Sequence, residues 1–188
     1  MEILDIVDEN GNPTGEIVER NKAHSEGIRH RTSHVWLVRK AKDKITREDV
    51  VEVLLQKRSA NKDSHPGEWD ISSAGHIPSG CEFRESAIRE LKEELGISVK
   101  ESELVEAGIL NIGSDNVFHG KPFHDRQVSK VFVLEKDLPV SEFTVQESEL
   151  SEVRWFEINK LIEDTKEGRM GTCLRAEELT MVKNTFRI

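Results

Sequence analysis

The segment from Glu82 to Leu95 constrains this chain more than any other. Phe83, Ala87, Leu91 and Leu95 recur every four residues, Ile88 widens the apolar stripe and Gly96 supplies a stop. That spacing predicts an amphipathic helix. Glu90 and Glu94 stand one turn apart on it, with Glu93 beside them. At about 100° per residue they fall within about 20° of Phe83, at the border of the apolar stripe. A helix serving structure alone turns its acids to the far side. Three like charges in one turn also repel one another by about a few tenths of a kcal/mol per pair. A divalent cation converts that repulsion into binding, and Mg²⁺ takes hard oxygen ligands while keeping several waters. Taken alone, Glu-x-x-Glu-Glu still describes a solvated acidic face, so the surroundings decide.

The rest of the chain predicts one domain, residues 1–188, without repeats, low-complexity tracts or Pro/Gly/Ser linkers. Ile3 to Val7 reads as a strand before a turn at Asp8 to Pro13, and Glu19 to Ser25 as a short helical turn. His34 to Arg39 and Val51 to Lys57 read as a hairpin joined by a charged loop. Asn61 to Gly75 is mostly loop with a short strand around Trp69 to Ser72. Leu104 to Ile112, Val128 to Leu134 and a segment ending at Trp155-Phe156 are strands; Glu157 to Lys166 and Glu177 to Phe186 are helices. Without a regular βαβ alternation, these elements predict an α/β/α sandwich on a mixed β-sheet.

Composition bounds the function. The apolar runs, such as Val35 to Val38 and Val51 to Leu55, are too short for a transmembrane helix. Met1-Glu2-Ile3-Leu4-Asp5 lacks the basic-then-apolar pattern of a secretory signal, so a cytoplasmic location is expected. Cys81 and Cys173 form no CxxC pair and are expected to be reduced and unpaired. A formal net charge of −9 argues against a nucleic-acid polymer as partner. A small phosphorylated substrate remains compatible where basic residues or a cation reverse the sign locally.

Read in full, Gly75-x5-Cys81-x7-Arg89-Glu90-Leu91-Lys92-Glu93-Glu94-Leu95-Gly96-Ile97 resembles the Nudix box, G-x5-E-x7-R-E-U-x-E-E-x-G-U with U aliphatic. One fixed position departs: Cys81 stands where the family has Glu. Glu82 is adjacent but points about 100° away on a helix, a poor substitute. The resemblance implies a Nudix hydrolase that cleaves a phosphoanhydride bond of a small diphosphate-containing substrate. Glu90 and Glu94 would hold Mg²⁺ (Mn²⁺ as an alternative ion), with Glu93 as a further ligand or the base. The Ala74 carbonyl would complete the shell, Arg89 would orient the glutamates, and a loop acid would join them, with Glu149 favoured over Glu152. The fold it implies is compatible with a homodimer.

A further likeness is to the isopentenyl-diphosphate isomerase branch. It is carried by Leu54-Leu55-Gln56-Lys57-Arg58-Ser59, Pro66-Gly67 with Trp69, and His30-Arg31-Thr32-Ser33-His34-Val35-Trp36. On this resemblance His24, His30 and His76 match three metal-binding histidines, with Asp125 as a further ligand, and Arg58 and Lys62 match diphosphate-binding residues. The isomerase also needs a cysteine before Gly75-His76 and a glutamate in the strand around residue 127. Here those positions are Ala74 and Gln127. The run Trp69-Asp70-Ile71-Ser72-Ser73-Ala74-Gly75-His76 is closer to plant and bacterial Nudix hydrolases with an Ala-Gly-His signature. Hydrolysis is therefore the expected reaction, with isomerisation and a non-catalytic ligand sensor as the competing classes. Substrate identity is left to loops outside the box, expected at Ser114 to Arg126 and Gly168 to Arg175.

Overall fold

The computed structural model describes residues 2–43, 45–62, 64–146, 148–170 and 173–186. Its elements run β1 (Ile3–Val7), β2 (Pro13–Glu19), α1 (Arg20–Glu26), β3 (His30–Lys42), β4 (Asp49–Arg58), β5 (Trp69–Asp70), β6 (Ser73–His76), α2 (Phe83–Leu95), β7 (Leu104–Phe118), β8 (Lys121–Glu135), β9 (Leu150–Glu157), α3 (Ile158–Lys166) and α4 (Ala176–Thr185). The main sheet is mixed. β3 pairs with β8 in parallel, and the other pairings, including β3 with β4, β4 with β9 and β7 with β8, are antiparallel.

Helices cover both faces of this sheet, which explains the continuous apolar runs: a strand buried on both sides needs no polar alternation. In β3, Val35 and Leu37 pack toward α2 with Ala87, Leu91 and Leu95. The alternate residues Trp36 and Val38 pack toward α3 and α4 with Leu161, Leu179 and Val182. In β4, Leu54 goes to the first core while Val53 and Leu55 go to the second. The helix predicted over Glu82 to Leu95 is α2, entered through Glu82, and it ends where Gly96 adopts φ 72° and its N–H bonds back to Leu91 and Lys92. No helix among the described residues is long and apolar enough to cross a membrane.

Two features went beyond the expected elements. Ser114 to Arg126 is not a loop: β7 and β8 pair continuously out to Phe118 and Lys121, and His119-Gly120, both at positive φ, turn the hairpin. The segment is too polar for a buried-strand signal. It is held instead by cross-strand partners, with Asp115 accepting from Arg126 Nη2 at 2.8 and 3.0 Å and lying 2.8 Å from His124 Nδ1. The second is β6, which lies within the stretch expected to be mostly loop. β3 pairs with β4 only over Val38–Lys42, and with β6 over Thr32–Val35. β5 in turn pairs with β4 at Gln56 and Lys57.

The hydroxyl of Ser72 sits where β3 and β4 part company. It accepts the Leu37 N–H at 2.8 Å and donates to the Leu54 carbonyl at 2.6 Å, fully buried. Both backbone groups would otherwise lack a partner, and each buried unpaired group costs about 1–3 kcal/mol. We therefore expect Ser72→Ala to lower unfolding free energy by roughly 2–4 kcal/mol in urea titrations. A loss below about 0.5 kcal/mol, the range of a surface change, would show that water replaces the hydroxyl.

Candidate functional site

Strand β6 separates two groups of polar side chains. On one side lies α2. A Cβ added at Gly75 would stand 2.3 Å from Cδ of Glu90, so only glycine lets that carboxylate rest against the strand. Arg89 Nη2 donates to Glu90 Oε1 at 2.9 Å. One turn on, Glu94 is buried and its Oε2 accepts the Ala74 N–H at 3.2 Å. Burial pushes the Glu94 carboxyl from its ordinary 4.5 up to about 8, and the charge of Glu90 adds to the effect. Glu90 is raised as well, by burial first and against the pull of Arg89. Glu93 projects into solvent from the same turn.

A buried and a half-buried carboxylate of like charge, with hard oxygen donors, fit a divalent cation of the Mg²⁺ type. Among the described residues, however, the oxygens of Glu90, Glu93 and Glu94 do not all three lie within 4.8 Å of one another, whereas nitrogens of the three histidines do. Glu149, the expected loop acid, pairs with Lys62 Nζ, and Glu152 pairs with Arg154 at 2.5 Å.

On the other side of β6, Ala74 and His76 help line a cleft shared with His24, Asp125, Arg58 and Lys62. His24, His30 and His76 converge there. His24 Nε2 lies 3.1 Å from His76 Nε2, and the ring centroids are 4.9–5.2 Å apart. His30 Nδ1 lies 2.9 Å from the Ile28 carbonyl and donates to it, which leaves Nε2 as the lone-pair nitrogen. That Nε2 and His24 Nδ1 are buried without a hydrogen-bond partner. Burial holds His24 at about 3, His76 well below its ordinary value and His30 lowered too, so all three are neutral imidazoles at pH 7. Neutral, converging and under-satisfied nitrogens suit a transition metal. Asp125 Oδ1 stands 3.6 Å from His24 Nδ1, and the Gln127 amide donates to both Asp125 oxygens at 2.7 and 2.8 Å.

Arg58 is held by its own loop and strand, donating to the Ser64 carbonyl at 3.0 Å and to Asp70 at 2.9 Å. Of the other cleft residues, Phe123 and Arg175 fall within the two segments expected to set specificity, whereas Arg20, His34 and Glu178 escaped sequence reasoning. Phe123, from the β7–β8 hairpin, stacks on His24 at 4.2 Å. Glu178 is 2% exposed and accepts from Trp36 Nε1 at 2.8 Å, with His34 Nδ1 also at 2.8 Å. Burial alone would hold His34 neutral; Glu178 outweighs it and raises the imidazole. The signal for Glu178 was available, because it shares a helical face with Val182, as Glu90 does with the apolar stripe of α2.

A family model described as the NUDIX domain matches residues 28–175. The chain belongs to the Nudix family.

Its relatives include Nudix hydrolase 3 of Arabidopsis thaliana, 37% identical over 82% of this chain but only 19% of that protein. An uncharacterised Nudix hydrolase of Clostridium acetobutylicum is 36% identical over 85% of this chain and 72% of the relative. An isopentenyl-diphosphate Delta-isomerase of Cereibacter sphaeroides is 30% identical over 80% and 76%. The sequence thus sits in the isomerase-like branch of the Nudix hydrolases, a family acting on phosphorus-containing anhydrides. A crystal structure from Deinococcus radiodurans shares the fold at a TM-score of 0.68 and 18% identity, covering 99% of this chain and 100% of that one. α2 is the helix of the Nudix box. Cys81 sits just before it as a free, half-buried thiol, and Glu82 is exposed and makes no capping bond with its side chain.

The raised Glu94 carboxyl has a consequence for metal-free protein. Folding favours its neutral form, so its contribution is fully present below about pH 4.5 and is lost as pH rises through about 8. With chelator present, Glu94→Gln should gain stability over wild type across that interval, by on the order of a few kcal/mol. Urea midpoints of the pair at several pH values check it; parallel profiles would show the carboxylate solvated.

Proposed function

We propose that this Nudix protein is a Mg²⁺-dependent hydrolase that cleaves the phosphoanhydride bond of a small diphosphate-containing substrate by attack of water on phosphorus. The observation that carries this reading is the buried Glu94, with Glu90 against Gly75, one strand away from a cleft bearing Arg58 and Lys62. Glu90, Glu94 and the Ala74 carbonyl would hold the cation, Mg²⁺ or Mn²⁺, with Glu93 as a further ligand or the base. When bound, such an ion neutralises phosphoryl charge and makes coordinated water more acidic. Arg89 orients Glu90 by a charge-assisted hydrogen bond. Arg58 and Lys62 offer cationic donors to the diphosphate, Lys62 after release from Glu149. As base, Glu93 accepts the proton of the attacking water as the new P–O bond forms and the bridging P–O bond breaks. Glu149 would then join the cation only by exchanging its lysine partner. We place the reaction in the cytoplasm, in keeping with two free thiols; a homodimer is compatible with it.

The histidine cluster, with Asp125, favours a second reading as isomerase, because it supplies a metal-binding set of that kind. Ala74 and Gln127 weigh against it. A methyl group and an amide cannot hand a proton across an alkene, and the Gln127 amide is engaged with Asp125. Phosphate release from a panel of diphosphates with Mg²⁺ tests hydrolysis. Glu93→Gln and Glu94→Gln should each lower kcat by about 10²-fold or more with unchanged circular dichroism. Unaltered rates in both would remove the glutamates from the mechanism. Deuterium incorporation into isopentenyl diphosphate, followed by NMR, would revive the isomerase reading.

A further inference from the structure

A second cluster of ligand-type side chains lies at the rim of the cleft, separate from the three histidines. His65 and Glu68, in the loop between β4 and β5, face Cys173, which precedes α4. Their donor atoms, a ring nitrogen, a carboxylate oxygen and a sulfur, all lie within 4.8 Å of one another, and His65 Nδ1 is 3.2 Å from Glu68 Oε2. Cys173 is fixed from behind by its backbone: its N–H donates to the Trp69 carbonyl at 3.3 Å, and Sγ lies 3.5 Å from the same oxygen. The surroundings are acidic, since Asp70 lies close by and pairs with Arg58 at 2.9 Å, while Glu68 pairs with His65. A thiol, an imidazole and a carboxylate at this spacing make a mixed soft and hard donor set. Mg²⁺ avoids sulfur, whereas Zn²⁺ accepts all three donor types.

We propose that His65, Glu68 and Cys173 form a Zn²⁺-class transition-metal site that clips the segment entering α4 to the β4–β5 loop. On binding, the thiol proton passes to solvent and the thiolate becomes a ligand. Three protein ligands leave a fourth tetrahedral position for water or another oxygen donor. The clip joins the two chain segments that bring Lys62 and Arg175 to the cleft, so it would set the spacing of those cations. It does not depend on the glutamates of α2 or on hydrolysis.

Cobalt reports the site directly, because a cobalt–thiolate bond absorbs in the near ultraviolet and cobalt bound to carboxylates or imidazoles does not. Metal-free protein is titrated anaerobically with Co²⁺ to saturation, since the three histidines compete for the ion. We expect one thiolate band per chain, displaced by Zn²⁺, kept in Cys81→Ser and Glu94→Gln, and lost in Cys173→Ser. No band in the wild type, or a band that survives Cys173→Ser, would overturn the proposal. Should Cys173→Ser fail to fold by circular dichroism, His65→Ala and Glu68→Gln decide. Each should weaken Co²⁺ binding at the band by more than about tenfold, a loss seen even for outer-sphere partners. Unchanged affinity in both would sink the site.

Discussion

The separation of β3 from β4 is the constraint on which the site depends. Beyond Val38 and Val53 the two strands stop pairing, and the exposed backbone groups need other partners or the core would hold unpaired donors. Ser72 closes the fork with one hydroxyl, and β5 and β6 supply the ladder bonds on either side. Residues 69–76 are thereby drawn into the sheet rather than left over its end. Ala74, Gly75 and His76 consequently stand between α2 and the cleft, so one four-residue strand touches both candidate metal sites.

That placement carries an electrostatic cost. Glu94 is buried among Leu91, Leu95 and the sheet, with the Ala74 N–H as a partner and a like charge one turn away. An interior position of this kind selects for apolar residues unless something is gained from the charge. The cleft face shows the complementary choice. Burial disfavours the charged form of His24, His30 and His76, and Asp125 is raised by the same burial. Beside ion pairs such as Arg89–Glu90 and Arg58–Asp70, Glu94 on one face of β6 and the three histidines on the other therefore present electron pairs, an arrangement that a cation would complete.

Much of this was legible in the sequence because the relevant signals are local. The four-residue recurrence from Phe83 to Leu95, the Gly96 stop and the apolar runs at Val35 to Val38 and Val51 to Leu55 report burial directly. The convergence of His24, His30 and His76 was legible only through resemblance, since residues 46 positions apart, as His30 and His76 are, carry no local sign of contact. The outer half of the β7–β8 hairpin was missed for the opposite reason. Its strands are held by Asp115, His124 and Arg126 at an exposed position, so polarity disguised pairing. β6 was missed because Ser, Ala, Gly and His favour no strand; the gap left by the forked neighbours makes it one.

The charge pattern of the cleft bears on how an acidic chain can take an anionic substrate. Arg20, Arg58, Lys62 and Arg175 come from α1, β4, the loop after it and the start of α4, four separate segments converging on one opening. With 36 acids against 27 Lys and Arg overall, the surface as a whole repels polyanions. A long nucleic acid would feel that surface along its length, whereas a small diphosphate needs only the opening. Even there the cations are partly spent, Arg58 on Asp70 and Lys62 on Glu149. On the proposed function a diphosphate would compete with those carboxylates, and a cation on the glutamate side of β6 would tip the balance toward it by adding positive charge that the resting pairs cannot neutralise.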